Sequence, residues 1–331
     1  MDAQQLRDHG WLKKVEGIYI IKMPMPFPLK ENNCFLAETD QGWVIIDTGV
    51  NREENREILR AVLAAIGITW RQISSIYLTH YHHDHIGLAG WLQEKCGAKV
   101  YLSPPDIMTF KTYLMSDSYM DKVHDACLMA AWPLDMVSEL ANDFISIKPL
   151  LEPFPELSPL YLDQTLSLNG ENYAVIAIPG HTDGHCVFHC AENQVLFSGD
   201  NIVGHTLLHL TDWPQNGINN PCDTHLSALN RLQQMPVKTV LPGHGQVFSN
   251  LTERINLINN HHNKRKALVY DNLHRPMTAW ELAKTFSKSH TYIHIRRLLL
   301  AETLAYLQSL LHESKVECSL VNGSYIYYRK S

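Results

Sequence analysis

Short apolar runs recur along the first 250 residues of the chain, and several stop abruptly at glycine, proline, histidine or aspartate. Runs of this length that are bounded by turn-forming residues are typical of buried β-strands. Four of them lead directly into loops whose side chains can bind metals or transfer protons. These four predicted strands are Ile76–Leu78, Tyr173–Ile178, Val195–Phe197 and Thr239–Leu241.

The pattern changes after residue 250 and predicts helices followed by a β-hairpin. Thr278 and Glu281 form a capping-box sequence, and the alternation on both sides of Asn322 and Gly323 is typical of a hairpin. Because this order resembles a small winged-helix module, we expect one domain at residues 1–260 and a C-terminal module at 261–331. The predicted elements are helices at Leu251–Lys266, Glu281–Phe286 and Tyr292–Leu311, and a hairpin at Val316–Tyr328.

Two other segments depart from the simple alternation of strands and helices. Residues 104–160 are predicted to form a helical insertion, which holds half of the ten methionines. Methionine-rich helices make adaptable surfaces, and the alternative is ordinary packing between helices. Residues 22–29 contain three prolines, which argues against a central strand. This segment is expected to be either a mobile apolar lip over a site or a rigid surface loop.

Composition excludes several classes of protein. With 331 residues, 45% hydrophobic and 19% charged, the chain is long enough for one large domain and an appendage. No apolar run is long enough to span a membrane, and the first residues lack the apolar stretch of a signal peptide. The seven cysteines are scattered, without a CxxC pair, and are expected to be free thiols. We therefore predict an α/β enzyme of the cytoplasm.

Charge is distributed unevenly along the chain. Residues 264–331 contain 11 Lys and Arg against 5 Asp and Glu, which is a net charge of +6. Because the whole chain has a net charge of −6, residues 1–263 have a net charge of −12. A basic tail suggests nucleic-acid contact, but the tail lacks a stripe of arginine and lysine with interleaved aromatic residues. Nucleic acid is therefore not an expected partner. The module is expected to pack on the body or to form a homodimer.

A dense group of metal-binding side chains follows the first of the four strands, at His80, His82, Asp84 and His85. Alternate residues of an extended loop point the same way, so His80 and His82 would bind one ion, and Asp84 and His85 would turn toward a second position. Neutral imidazole and carboxylate ligands suit Zn²⁺, and also Mn²⁺ or Fe²⁺. The other three loops contribute one such side chain each: His181, Asp200 and His244.

These motifs resemble those of the metallo-β-lactamase superfamily: HxHxDH at 80–85, PGHT with His181, SGD with Asp200 and PGHG with His244, after an early strand and Asp-x-Gly turn at 43–49. The resemblance covers roughly residues 15–250. It implies an αββα sandwich with the metals at one edge between two mixed sheets. It also implies that His80, His82 and His181 bind metal 1, that Asp84, His85 and His244 bind metal 2, and that Asp200 bridges both.

The activity implied by the resemblance is hydrolysis by a hydroxide that bridges two divalent ions, with zinc preferred over manganese or iron. The expected substrate is a small, partly apolar molecule with an ester-like bond, either a thioester or a lactone. Asp84 and Asp200 are the candidate catalytic residues. The acid that protonates the leaving group is left open between Asp84 and a tyrosine or histidine of the pocket.

Differences between this sequence and the motifs of known subfamilies exclude some activities and leave two alternatives to the hydrolase. An aspartate at position 200 and the lack of an export signal argue against antibiotic hydrolysis. His82 argues against the oxygen-reducing diiron relatives, which have glutamate there. The first alternative is an oxidoreductase resembling persulfide dioxygenases, with a single iron on His80, His181 and Asp200. The second is an RNA-processing nuclease, against which the acidic body argues.

Side chains next to the motifs have two interpretations each. Tyr81 and His83 are expected to point away from the metals. Asp47 would either hold a metal-binding histidine or form a turn. His185 is expected to begin a helix or to support the site rather than to bind metal. Two later histidines would either reach the substrate or lie apart from it: His205 and His209.

Overall fold

Two β-sheets packed face to face form the centre of the molecule. The computed structural model describes residues 3–115, 119–162, 164–206, 209–210, 220–286 and 292–330. The first sheet follows chain order: β1 (Leu12–Val15), β2 (Ile18–Pro24), β3 (Glu31–Thr39), β4 (Gly42–Ile46), β5 (Ile73–Tyr77), β6 (Lys99–Leu102) and β7 (Leu157–Pro159). The second sheet is formed by β8 (Thr165–Leu168), β9 (Glu171–Ala177), β10 (Cys186–Cys190), β11 (Val195–Gly199) and β12 (Thr239–Pro242). Its strand order is β12-β11-β10-β9-β8.

Helices lie between and beyond the strands along the chain. Those before the second sheet are α1 (Ala3–Asp8), α2 (Glu53–Ile66), α3 (His83–Ile86), α4 (Ala89–Cys96), α5 (Pro104–Thr109), α6 (Tyr119–Met129) and α7 (Val137–Ile147). The later helices are α8 (Pro221–Leu232), α9 (Leu251–Asn272), α10 (Ala279–Lys284) and α11 (Ile293–His312). A small third sheet, in the order β13-β15-β14, contains β13 (Met277–Thr278), β14 (Val316–Val321) and β15 (Ser324–Arg329).

The layers are held together by apolar side chains that alternate along the strands. Between the sheets, the ring of Phe35 on β3 meets the edge of Phe197 on β11, with ring centres 5.1 Å apart. On the outer face of the first sheet, α2 buries Leu59. On the outer face of the second sheet, α8 buries Leu229 and α9 buries Ile255. The order helix, sheet, sheet, helix confirms the predicted αββα sandwich.

The four loops singled out in the sequence meet at one edge of this sandwich. Strands β11 and β12 are parallel, and β9 runs parallel to them because both β9 and β11 are antiparallel to β10. The carboxyl ends of β9, β11 and β12 therefore point to the same edge. In the first sheet, β5 delivers the loop that continues into α3. The predicted strands are confirmed, with ends shifted by a few residues.

The proline-containing segment 22–29 is partly a strand, contrary to the expectation from its sequence. Lys22, Met23 and Pro24 belong to β2 and pair with β3, beyond Ile21, the last residue of β2 that pairs with β1. Pro24 is the last residue of β2, where a missing N–H costs least. The loop beyond it places the Phe27 ring 4.6 Å from the ring of His83.

The insertion and the C-terminal module share one hydrophobic core. Trp132 packs against Trp280 with ring centres 4.6 Å apart. The backbone N–H of Trp280 donates to the backbone carbonyl of Ala130. Val123 and Leu140 are buried in the same cluster as Tyr306 of α11. Ordinary interhelical packing therefore explains this part of the insertion, although several methionines remain exposed on its surface: Met108, Met115 and Met129.

The C-terminal elements largely follow their predictions. The Thr278 capping box is present, and β14 and β15 pair around Asn322 and Gly323, which both have positive φ. Helix α9 is longer than expected and runs without a break through residue 260. The division at 260 and the winged-helix interpretation stay predictions. Among the helices of the described ranges, none is long and apolar enough to cross a membrane.

Acid should weaken the packing of α9 on α11 through His262. This buried side chain contacts the Tyr306 hydroxyl at 2.8 Å, and burial, followed by the charge of His261, lowers the pKa of His262 to about 4. The unfolded chain then binds a proton that the folded chain excludes. Stability is fully present above pH 6.5 and should fall by about 1.4 kcal/mol per pH unit as the pH drops toward 4.

The measurement is urea unfolding of the metal-free protein between pH 7 and 4. Replacing His262 with glutamine should reduce the slope of stability against pH by about 1.4 kcal/mol per pH unit, because glutamine does not titrate, and the other buried histidines with lowered pKa values keep the rest of the slope. His225, whose pKa burial lowers to about 3, contributes in the same direction and remains in the variant. The exposed His9→Gln variant is the control and should retain the wild-type slope. An unchanged slope in His262→Gln would contradict the assignment.

Candidate metal centre

Three imidazole nitrogens converge where the first and second sheets meet. His80 Nε2 lies 3.1 Å from His82 Nδ1, which lies 2.9 Å from His181 Nε2. His80 and His82 come from the loop after β5, and His181 comes from the loop after β9. For comparison, nitrogens around a tetrahedral Zn²⁺ are separated by about 3.3 Å, given Zn–N bonds of about 2.0–2.1 Å. These are the three side chains expected at metal 1.

A second group lies beside the first and contains Asp84, His85, Asp200 and His244, whose donor atoms are all within 4.8 Å of one another. Asp84 Oδ2 is 3.1 Å from His244 Nε2. His85 Nε2, His244 Nε2 and Asp200 Oδ1 are buried, and although neighbouring polar atoms lie 3.1–3.3 Å away, none of these contacts has the geometry of a hydrogen bond. Unpaired buried donors and acceptors are costly, so these atoms fit the binding of a cation.

Asp200 lies between the two groups. Its Oδ1 is 3.2 Å from His85 Nε2, and its Oδ2 is 3.3 Å from His244 Nε2. The same Oδ2 is 3.6 Å from His181 Nε2 and 4.0 Å from His80 Nε2. The structure thus brings all seven predicted residues together in the predicted sets, with Asp200 facing both. Their function as ligands stays a prediction.

The far nitrogens of the histidines are held by neighbouring oxygens, which orients the rings. His85 Nδ1 lies 2.8 Å from Asp47 Oδ2, and His244 Nδ1 donates to the carbonyl of Glu31 at 2.7 Å. His80 Nδ1 contacts the Thr79 hydroxyl at 3.0 Å. A histidine whose Nδ1 is occupied in this way directs its Nε2 at the centre.

Burial and neighbouring charges shift the pKa values of side chains in both groups. Burial, together with the neighbouring His85 and His82, holds the pKa of His80 well below its usual value. Burial and His181 likewise lower the pKa of His82. These imidazoles are neutral near pH 7, as metal ligation requires. In the second group, burial would raise the pKa of the Asp200 carboxyl, but His244 and His85 outweigh it and hold this pKa well below its usual range.

The positions of four side chains next to the motifs decide between the two interpretations that the sequence left for each. Tyr81 is buried in the core of the first sheet, and His83 contacts Phe27. Asp47 both forms a turn, with φ of 53°, and contacts His85, while its two oxygens accept bonds from the Thr79 N–H and hydroxyl. His185 supports the site, because its Nε2 accepts from the Asp200 N–H at 3.1 Å.

His205 and His209 are placed differently from each other. His209 lies next to the first group, where its backbone carbonyl is 3.4 Å from His181 Nδ1. Its side chain turns toward Glu302 of α11, at 3.8 Å. His205 packs against the backbone of Gly245. The interaction of either side chain with a substrate stays a prediction.

Sequence reasoning missed three residues that support the loops of the site. Asn33 Nδ2 donates to the carbonyl of Pro242 at 2.7 Å, and Lys22 Nζ donates to the carbonyl of Gly245 at 2.8 Å. The third is Asp106, a buried carboxylate at the start of α5 that accepts backbone N–H bonds from two of the loops that carry the candidate ligands. All three are distant in sequence from the loops they hold, so no local motif marks them.

Curated proteins similar to this chain include one that is named a probable metallo-hydrolase. A probable metallo-hydrolase of Bacillus subtilis, YqjP, is 23% identical over 326 residues, which cover 95% of this chain and 98% of that protein. The lactamase-like protein notP of Aspergillus sp. is 26% identical and covers 69% of this chain and 54% of its own length. An atrochrysone carboxyl ACP thioesterase of Claviceps purpurea is 23% identical over a region that covers 70% of this chain and 56% of the thioesterase. The chain thus spans little more than half the length of these two fungal relatives.

Two solved structures match this chain over nearly its whole length. A metallo-beta-lactamase family protein of Thermus thermophilus superposes with a TM-score of 0.83 at 26% identity, over 96% of this chain and 99% of that one. A beta-lactamase domain protein of Burkholderia ambifaria has the same fold, with a TM-score of 0.85 at 24% identity over 96% and 94%. The sequence profile of the metallo-beta-lactamase superfamily matches residues 28–244. The chain belongs to the metallo-beta-lactamase superfamily.

Proposed function

We propose that this protein is a dinuclear metallohydrolase that cleaves a thioester or a lactone in a small, partly apolar substrate. The observation that carries the proposal is the position of Asp200. Its two oxygens face both the second group and the histidines of the first group at 3.2–4.0 Å. One carboxylate between two sets of ligands is the arrangement expected for two neighbouring ions.

The proposed ligands are His80, His82 and His181 for one ion and Asp84, His85 and His244 for the other, with Asp200 shared. When bound, two such ions would activate a shared water and polarise the carbonyl of the substrate. The chain itself fixes the imidazole rings through their far nitrogens. With the metals bound, the ligand histidines would be neutral, and Asp84 and Asp200 would supply two negative charges against the doubled cation charge.

The substrate class is inferred from relatives and from the rim of the site. Two kinds of relative are named as a lactamase-like protein and as an acyl-carrier-protein thioesterase, and both names refer to bonds at an acyl carbon. Phe27, half-buried against His83, provides an apolar contact beside the loop that carries the ligands. Of the two bonds, we place the thioester first.

The oxidoreductase alternative uses fewer of the residues that converge here. An iron on His80, His181 and Asp200 would leave the buried Nε2 atoms of His85 and His244 facing carboxylate oxygens at 3.1–3.3 Å without the geometry of a hydrogen bond. A second ion removes this cost, which favours the dinuclear interpretation. Zinc is our preferred metal over manganese and iron. The seven free cysteines fit a reducing compartment, so the cytoplasm is the proposed location.

The test begins with the metal content of protein purified without added metal, measured by mass spectrometry. We expect about two divalent ions per chain, mostly zinc. The same protein is then assayed with an acyl-coenzyme A thioester, an aliphatic lactone, a phosphotriester and a single-stranded RNA. Thioester or lactone hydrolysis that disappears with a chelator and returns with Zn²⁺ is the expected result.

Other outcomes would point elsewhere. A single tightly held iron together with oxygen consumption on a persulfide would overturn the hydrolase in favour of the oxidoreductase. Cleavage of RNA with no turnover of the small acyl substrates would favour the nuclease. His244→Ala is the matched variant for the second ion: it should bind about one ion per chain, whereas His205→Ala, a nearby histidine outside both groups, should still bind two.

A further inference from the structure

Asp106 is a buried carboxylate outside the seven predicted ligands, and it lies between two of the loops that carry them. It occupies the first turn of α5, which follows β6 directly. Its side chain is fully shielded from solvent. A carboxylate in such a position costs free energy unless its oxygens are well paired, so its partners indicate why it is there.

Both oxygens of Asp106 are used, and all three donors come from the metal-binding loops. Oδ2 accepts from the Tyr81 N–H at 3.1 Å and from the Thr182 hydroxyl at 2.8 Å. Oδ1 accepts from the Gly184 N–H at 2.8 Å. Tyr81 stands between His80 and His82 in the chain, and Thr182 directly follows His181. One side chain thus ties the loop of the first sheet to the loop of the second.

We propose that Asp106 is a positioning residue that holds these two loops in register, so that the three histidine nitrogens of metal 1 converge. The inference rests on the proposed function, in which those nitrogens bind an ion. His80 and His82 are fixed to each other by the chain, but His181 belongs to a different sheet. Its place relative to the other two depends on contacts between the loops, and Asp106 supplies three of them at once.

The surroundings of the carboxylate are built around these bonds. A β-carbon at Gly184 would lie 2.1 Å from Ser103 Oγ and 2.7 Å from Asp106 Oδ1, so glycine allows the loop to approach closely. Burial, opposed by the Thr182 hydroxyl and the two backbone donors, raises the pKa of Asp106 to about 7. The three donors thus offset only part of the cost of burying the charge.

Asparagine at position 106 tests this arrangement with little change of volume. Its amide has a single acceptor oxygen. If that oxygen takes the place of Oδ1, the amide nitrogen faces the Tyr81 N–H; if it takes the place of Oδ2, the nitrogen faces the Gly184 N–H. Either orientation sets a donor against a backbone donor, so one of the two loops is released. Valine at position 182 removes the hydroxyl donor alone and should have a smaller effect.

The experiment measures Zn²⁺ binding to full-length protein by competition with a chromophoric chelator. Asp106→Asn should lower the affinity for one of two Zn²⁺ ions by about 10–100-fold, the usual cost of losing a group that supports a ligand. The affinity for the other ion should stay close to that of the wild type. Thr182→Val should weaken the same ion by a smaller factor. The control is Asp223→Asn, at a comparable first-turn position of α8, which should bind both ions normally even if it is equally destabilised.

Amide hydrogen exchange of the metal-free protein provides a readout independent of metal. Peptides that cover 79–86 and 180–185 should exchange faster in Asp106→Asn than in wild type, and Asp223→Asn should leave them unchanged. If wild type binds no metal, the proposed function fails, but faster exchange would still establish the link between the loops. If Asp106→Asn and Thr182→Val bind both ions with wild-type affinity and exchange normally, the positioning role is wrong.

Discussion

Replacing Asp200 with alanine is expected to abolish turnover and to release one of two bound ions while the protein stays folded. The loss in kcat should be at least about 1,000-fold, because the variant removes the carboxylate shared by both sets of ligands as well as one of their two negative charges. The fold should persist because the Asp200 N–H still bonds His185. Turnover of a thioester, metal content and thermal unfolding would be measured together.

The control for this variant is Asp223→Ala, which removes an aspartate of α8 that lies outside the centre. It should retain both ions and most of the activity. Full activity in Asp200→Ala would contradict the dinuclear mechanism. Loss of activity that accompanies general unfolding, in a variant that no longer melts cooperatively, would show that the carboxylate is needed for the fold itself.

Alanine at Gly243 should have the second largest effect, although it changes no ligand. A β-carbon there would lie 2.3 Å from Asp200 Oδ1 and 2.9 Å from His85 Cε1. The methyl group would therefore displace the shared carboxylate. We expect metal affinity to fall at least about 100-fold, with a loss of stability of about 1–3 kcal/mol from overpacking.

Gly204→Ala is the matched control. Its β-carbon would meet the edge of the Phe248 ring at 3.1 Å and no donor atom of the centre, so metal affinity should stay close to wild type. Zinc titration and urea unfolding of both variants would separate the two effects. Wild-type affinity in Gly243→Ala would mean that the loop can shift without moving Asp200, and that the crowding described here does not constrain the site.

The ligand loops could be predicted from the sequence because their information is local. The spacing of His80, His82, Asp84 and His85, and the glycines beside Asp200 and His244, can be read within a few residues of each loop. The αββα fold was predicted from the family resemblance that these motifs carry. These features depend on periodicity and turn chemistry, which short stretches of sequence determine.

The contacts that hold the loops could not be predicted in the same way. Asp106, after Pro104 and Pro105, reads as an ordinary acidic residue in the first turn of a helix, and Asn33 reads as a polar residue in a strand. Their partners lie far away in sequence, across the sandwich. Pro24 at the end of β2 was misjudged for a related reason: tertiary packing overrides local preference.

The core shared by the insertion and the C-terminal module has a consequence for synthesis on the ribosome. Trp132 and Trp280, which pack together, are separated by 148 positions in the sequence. Because synthesis proceeds at about 5–20 residues per second, the apolar face of the insertion stays uncovered for roughly 7 to 30 s until Trp280 has been synthesised. During that interval a chaperone that binds exposed apolar helices would compete for the nascent chain, and truncated chains that end before α10 would keep that surface exposed.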